Sequence, residues 1–160
     1  MADGRKRTGA LVLSAAVLAA IAGYEGYRSA AYIPVPGDVP TIGHGTTRYE
    51  TGQPVRMGDR VTPERARILL QNDASAFARA VQRCAPVPMH QREFDAFTSL
   101  AYNVGEGAFC RSTLARKLAA GDYAGACREI LKWDKFQGQP LRGLTLRRQK
   151  EYQLCIGATP

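Results

Sequence analysis

The sequence predicts an α+β fold, with an N-terminal helix, a small β-subdomain and a mostly helical C-terminal lobe. An uncharged apolar run follows Arg5-Lys6-Arg7, whereas the region from Ala31 to about Arg60 is rich in proline, glycine and threonine. Proline and glycine interrupt helices and mark turns, which favours short strands in that region. From Thr62 onwards, apolar residues recur at helical spacing. Strand-forming and helix-forming regions are thus segregated, as in α+β proteins.

The individual elements follow from local signals. Thr41–Gly43 and Arg56–Met57 are predicted as short strands between turns. A long helix is predicted from Thr62 to about Arg83, because Thr62 can cap it and Pro63 suits its first turn. The remaining predicted helices are Met89–Asn103, closed by Gly105, then Ser112–Ala120, Tyr123–Trp133 and Leu144–Cys155.

The charge of the chain favours polyanionic partners. With 22 basic and 14 acidic residues the formal net charge is +8, which suits nucleic acid, anionic lipid or a bacterial wall polymer. No stretch combines basic residues with spaced aromatics or a base-reading motif, so nucleic acid is the weakest of these candidates. We expect a monomer that does not bind nucleic acid.

The four cysteines limit which disulfides and metal sites this chain can form. No CxxC pair occurs among Cys84, Cys110, Cys127 and Cys155, and both histidines are distant from them in sequence, so we expect no zinc site. We also expect no other metal and no cofactor. An even cysteine count behind an export-like N-terminus indicates two disulfides, for which three connectivities are possible. We predict Cys84–Cys110 and Cys127–Cys155, each joining helices within the helical lobe.

The N-terminal run has two interpretations. A basic segment before uncharged Thr8–Tyr24, with Ala20-Ile21-Ala22 before Gly23, matches a cleavable secretory signal. Alternatively it is an uncleaved anchor, although a helix of about 16 residues spans only about 24 Å of the ~30 Å hydrocarbon core. Half of the positions from Gly9 to Tyr24 are alanine or glycine, so the bilayer would hold such an anchor weakly. The basic flank places the rest of the chain on the far, oxidising side of the membrane.

Glu25 follows this run directly. A carboxyl between Tyr24 and Tyr27 at the end of an apolar helix is partly desolvated, which suits a general acid. The alternative is a solvated glutamate that marks the membrane boundary.

A resemblance favours the catalytic interpretation. Glu25-Gly26-Tyr27-Arg28 and Pro40-Thr41-Ile42-Gly43-His44-Gly45-Thr46 resemble the active-site signature of phage-type lysozymes, glycoside hydrolase family 24. The similarity continues in Gln91, Asp95-Ala96, Ala101–Gly105, Phe109, Ser112–Leu114, Trp133, Gly143-Leu144, Arg147-Arg148 and Glu151. The resemblance implies a lysozyme-like fold and cleavage of the β-1,4 bonds between N-acetylmuramic acid and N-acetylglucosamine in peptidoglycan.

The catalytic residues follow the family pattern with two departures. That pattern has a Glu, an Asp or Cys nine positions later, and a Thr six positions beyond. Glu25 and Thr41 match in residue type, but Pro34 takes the middle position, and the span from Glu25 to Thr41 is one residue longer than in the pattern. The nearest downstream carboxylate is Asp38. We therefore expect Glu25, Asp38 and Thr41 as catalytic residues. His44 stands where relatives often have an aromatic residue, which predicts a packing or site-lining role.

Two mechanisms remain open at this point. In the first, Glu25 protonates the leaving oxygen while Asp38 and Thr41 hold a water, which predicts inversion at the anomeric carbon. In the second, Glu25 acts as the only carboxyl and the sugar's own 6-hydroxyl replaces water, as in lytic transglycosylases. Asp38 is then a turn residue that bonds nearby backbone amides.

The resemblance extends to signal-anchor-release endolysins, which implies an anchor in residues 1–24 and a catalytic domain in residues 25–160. We expect residues 9–24 to tether an inactive enzyme to the host inner membrane until release into the periplasm. Retention of the segment is favoured because cleavage before Gly23 shortens the helix that carries Glu25. The alternative from another class is a non-enzymatic, membrane-active secreted basic protein.

Overall fold

The computed structural model describes residues 3–158. The chain forms two compact units. Residues 3–17 and 76–158 form the helical unit. Leu18–Ser75 form the β-unit. The α+β class is confirmed.

The β-unit is organised around one short antiparallel ladder. Helix α1 (Ala15–Glu25) ends in this unit and is followed by strand β1 (Arg28–Tyr32), which pairs with β2 (Thr41–Gly43). Arg28 lies opposite Gly43 and Tyr32 lies opposite Thr41, with an irregular register between these pairs. A small apolar core of Ala31, Ile42 and Val55 lies on this ladder. The predicted strand at Thr41–Gly43 is therefore confirmed.

The predicted strand at Arg56–Met57 is wrong, because this segment forms a turn. The Asp59 carboxylate accepts a hydrogen bond from the Arg56 amide (3.0 Å), and the Asp59 amide donates to the Arg56 carbonyl (3.1 Å). The same carboxylate accepts the Tyr49 hydroxyl at 2.7 Å. These bonds outweigh the weak strand preference of two residues.

The helical unit is built around helix α3 (Gln91–Val104), whose residues Phe94, Phe97 and Leu100 are fully buried. Helix α2 (Pro63–Cys84) enters this unit from the β-unit. The helices after α3 are α4 (Glu106–Cys110), α5 (Thr113–Ala119), α6 (Tyr123–Glu129) and α7 (Arg142–Ile156). A short hairpin of β3 (Lys135–Phe136) and β4 (Gln139–Pro140) precedes α7.

Both predicted disulfides are confirmed. Cys84 at the end of α2 is bonded to Cys110 at the end of α4, and Cys127 in α6 is bonded to Cys155 in α7. Each bond joins two helices of the helical unit and closes a loop of 26 or 28 residues. Restricting loops of this length in the unfolded chain stabilises a fold by about 2–4 kcal/mol each.

The apolar N-terminal run is not one continuous helix. Thr8–Ala10 form a 3-10 turn, the next four residues are irregular, and α1 begins only at Ala15. Ser14 caps the start of this helix, because its hydroxyl accepts the Val17 amide (3.3 Å) while its own amide donates to Asp95 (3.1 Å). Among residues 3–158, no helix has the length and apolar character required to cross a membrane.

Candidate active site

Glu25 is the last residue of α1 and is half-buried. The helix ends there because Gly26 adopts a left-handed conformation (φ 71°), while its amide still donates to the Ala22 carbonyl at 3.0 Å. Strand β1 begins two residues further on. Glu25 therefore lies at a helix-to-strand junction whose backbone is fixed on both sides.

Thr41 begins strand β2 and is 6% exposed. Its hydroxyl donates to the Val39 carbonyl at 3.2 Å. A threonine in this position presents an oxygen that can also accept a hydrogen bond from a water molecule. The ladder with β1 fixes its backbone opposite Tyr32.

Asp38 lies in the exposed loop that joins β1 to β2. Its carboxylate accepts the Val39 amide at 2.8 Å, and its own amide donates to the Val35 carbonyl at 3.0 Å. This is the geometry of a turn residue, the second of the two interpretations given above. Its catalytic role stays a prediction.

All three predicted residues belong to the β-unit, and the β1–β2 ladder fixes the segments that carry them. Glu25 precedes β1, Asp38 lies in the connecting loop, and Thr41 starts β2. This arrangement supplies one half-buried carboxyl, one exposed carboxylate and one buried hydroxyl on adjoining stretches of chain. Such a set suits proton donation to a glycosidic oxygen together with orientation of a nucleophile.

His44 directly follows β2 and is 8% exposed. Its Nδ1 atom hydrogen-bonds to the Gly26 carbonyl oxygen, and its ring lies 5.8 Å from the Tyr27 ring, centroid to centroid, at an angle of 48°. Sequence reasoning gave His44 a packing role but did not identify its contact with the residue that follows Glu25. The two residues are 18 positions apart, so no local pattern reports this contact.

Two further contacts hold the loop after β2 against helix α2. The Thr46 hydroxyl donates to the Asp73 carboxylate at 2.6 Å, and burial raises the pKa of Asp73 above its ordinary value. Gly43 has a left-handed backbone (φ 63°), and a Cβ at this position would lie 3.1 Å from the Ala66 Cβ. Glycine is required there for both reasons.

The chain matches the model of the family described as Phage lysozyme over residues 22–151. The SAR-endolysin of Enterobacteria phage P21 is 32% identical over 150 residues, which cover 92% of this chain and 88% of that protein. The endolysin structure from Escherichia coli O157:H7 phage FAHEc1 has a TM-score of 0.80 at 35% identity, covering 94% of this chain and 97% of that one.

The endolysin Lyz of phage P1 is similar in two forms. Its active form has a TM-score of 0.74 at 26% identity and covers 93% of this chain and 87% of that one. Its secreted inactive form has a TM-score of 0.51 at 24% identity and covers 66% of this chain and 76% of that one.

These similarities exclude the non-enzymatic alternative. A family model that spans most of the chain, and relatives above 30% identity along nearly their full length, agree on fold and class. The chain therefore belongs to the phage lysozyme family and is a lysozyme-type glycoside hydrolase, an endolysin.

Proposed function

We propose that this endolysin hydrolyses the β-1,4 bonds between N-acetylmuramic acid and N-acetylglucosamine, with Glu25 as the general acid. The observation that carries the proposal is the position of Glu25, half-buried at the end of α1 and joined through β1 to the strand that begins with Thr41. A carboxyl at this position can donate a proton to the leaving oxygen. Thr41 and Asp38 then orient the attacking water on the opposite face of the sugar.

Glu25→Gln tests this role. The amide keeps the size of the side chain but cannot donate an acidic proton, so turnover of purified peptidoglycan is expected to fall by at least about 100-fold. Glu50→Gln is the matched control, because Glu50 is an exposed glutamate of the same unit whose carboxylate pairs with Arg65 at 2.7 Å. Full activity of Glu25→Gln at unchanged fold stability would contradict the proposal.

A second mechanism has an observation of its own. The Asp38 carboxylate is exposed and bonded to the neighbouring Val39 amide, and Pro34 occupies the position where the resemblance to phage-type lysozymes implies an Asp or Cys. This favours transglycosylation with Glu25 as the only catalytic carboxyl. Mass analysis of the wall fragments separates the two mechanisms, because anhydro ends lack one water. Asp38→Asn with unchanged hydrolysis would remove Asp38 from the mechanism.

We propose further that residues 9–24 tether the enzyme, inactive, to the host inner membrane, and that the structure corresponds to the released state. Three contacts within the helical unit support this. Leu11 is 5% exposed in the apolar core, the Gln82 side chain donates to the Leu11 carbonyl (3.2 Å), and Lys6 exchanges backbone hydrogen bonds with Met89 (2.9 and 2.8 Å). The greater coverage by the active form of the P1 endolysin supports the same assignment.

These contacts also give a physical reason for keeping the segment. Cleavage before Gly23 removes Leu11 from the core and deprives the buried Glu93 of the Arg5 guanidinium. Uncompensated burial of a carboxylate is costly. N-terminal sequencing of periplasmic protein tests retention, and a mature protein that starts at Gly23 would contradict it. The proposed active species is a monomer that acts on peptidoglycan and binds no nucleic acid.

A further inference from the structure

We propose that His44 is a positioning residue for Glu25, acting through a hydrogen bond to the carbonyl of Gly26. The inference rests on the proposed role of Glu25 as the general acid. The proposal assigns His44 no part in the chemical step. It determines where the end of α1, and therefore the Glu25 side chain, is held.

The contact has a defined chemistry. A backbone carbonyl only accepts hydrogen bonds, so Nδ1 of His44 must carry the proton in its bond to the Gly26 oxygen. The tilted contact between the His44 and Tyr27 rings restricts rotation of the imidazole. At 8% exposure, the ring has little water available to replace the carbonyl as a partner.

The backbone around His44 is held independently of Glu25. Ile42 and Thr46 exchange two backbone hydrogen bonds of 2.9 and 3.0 Å across the turn that carries His44. Thr46 is bonded through its hydroxyl to Asp73 of α2. The turn that carries His44 is therefore held in place by its contact with α2. The imidazole can then fix the position of the Gly26 carbonyl.

Gly26 directly follows Glu25 in the chain, so fixing the Gly26 peptide also fixes the backbone of Glu25. Its amide donates to Ala22 inside the helix and its carbonyl oxygen accepts from His44, so the residue after Glu25 is held on both sides. Without the bond from His44, the left-handed turn at Gly26 can rotate and carry the Glu25 carboxyl away from the glycosidic oxygen. A displacement of about 1 Å in a catalytic group costs on the order of 100-fold in rate.

Two substitutions test the hydrogen bond itself. His44→Leu keeps an apolar side chain of similar size but removes the donor, whereas the amide of His44→Asn places a donor close to the position of Nδ1. We expect His44→Leu to lower kcat on soluble peptidoglycan fragments by about 10- to 100-fold with KM within about twofold. His44→Asn is expected to recover kcat to within about fivefold of the unsubstituted enzyme. Thermal unfolding of each variant checks that it is folded.

Nuclear magnetic resonance of the ring nitrogens supplies the second measurement. The sequence has only two histidines, His44 and His90, so the His44→Asn spectrum assigns the signals. We expect a protonated Nδ1 on His44. A neutral ring with its proton on Nε2 would overturn the proposal, and this observation is made on the unsubstituted enzyme.

The remaining outcomes are equally decisive. Unchanged kcat in a folded His44→Leu enzyme overturns the positioning role, and so does an Asn variant as slow as the Leu variant. Full activity of Glu25→Gln refutes the proposed function instead, whatever His44 does. Loss of activity in Glu25→Gln together with full activity in His44→Leu refutes positioning alone.

Discussion

Removal of the Arg5 guanidinium tests whether the N-terminal segment is an integral part of the released fold. Arg5 donates from Nε and Nη2 to the two carboxylate oxygens of Glu93, at 3.0 and 2.8 Å. Its guanidinium also lies 3.7 Å from the centroid of the Tyr123 ring. The hydrogen bonds to Glu93 raise the pKa of Arg5, so its guanidinium stays charged. Arg5→Ala removes all these contacts at once.

The expected cost follows from burial. The Arg5 side chain is 20% exposed and that of Glu93 is 3% exposed, so the pair lies between a surface and a buried ion pair. Surface pairs contribute about 0–1 kcal/mol, whereas the loss of one partner of a buried pair costs about 3–5 kcal/mol. We expect Arg5→Ala to weaken docking of the segment by about 2–3 kcal/mol, which corresponds to about 30- to 150-fold in the docking equilibrium.

Amide hydrogen exchange measures this equilibrium directly. The Lys6 amide donates to the Met89 carbonyl at 2.9 Å, so its protection reports whether the segment is docked. We expect its exchange to accelerate by the same factor in Arg5→Ala. Arg7→Ala is the matched control, because Arg7 lies in the same basic segment and is exposed.

The control separates specific docking from charge. Both variants lose one positive charge, so any general effect of net charge is equal in the two. Equal exchange of the Lys6 amide in Arg5→Ala and Arg7→Ala would refute the reasoning, because it would mean that the ion pair with Glu93 contributes nothing to docking.

Three further predictions concern stability. Leu11 is 5% exposed, so Leu11→Ala leaves a cavity and should lower the free energy of unfolding, measured in urea, by about 2–5 kcal/mol. A near-zero effect would mean that the segment does not belong to the core. Gly43→Ala should lower the free energy of unfolding by about 1–3 kcal/mol, because φ 63° is unfavourable for alanine and the new Cβ would lie 3.1 Å from the Ala66 Cβ. Unchanged stability would contradict this. Asp73→Asn should melt a few degrees higher at neutral pH, since the raised pKa of Asp73 means that folding favours its uncharged form, while Thr46 can donate to the amide oxygen. That advantage should vanish once pH falls below the unfolded pKa, about 3.9 for aspartate, and a pH-independent difference would reject the explanation.

Local signals predicted the helical part of the chain well. Thr62 and Pro63 marked the start of α2, and Gly105 marked the end of α3, because capping and helix termination depend on a few adjacent residues. The weak preference at Arg56–Met57 failed, since hydrogen bonds to the Asp59 side chain decide that segment. Strand β1 and the β3–β4 hairpin were not predicted, because strands this short are defined by their partners.

The sequence by itself determined the family and the candidates Glu25 and Thr41, because motifs depend on which residues occur in which order along the chain. For the four cysteines it allowed three connectivities, of which the structure contains the predicted one. It did not determine what the apolar N-terminal run does, since alanine and leucine suit a membrane and a protein core alike. Only the tertiary structure places Leu11 in the core, starts α1 at Ala15 and brings His44 to the carbonyl that follows Glu25. Each of these depends on partners many residues away, and a contact between distant residues leaves no local pattern.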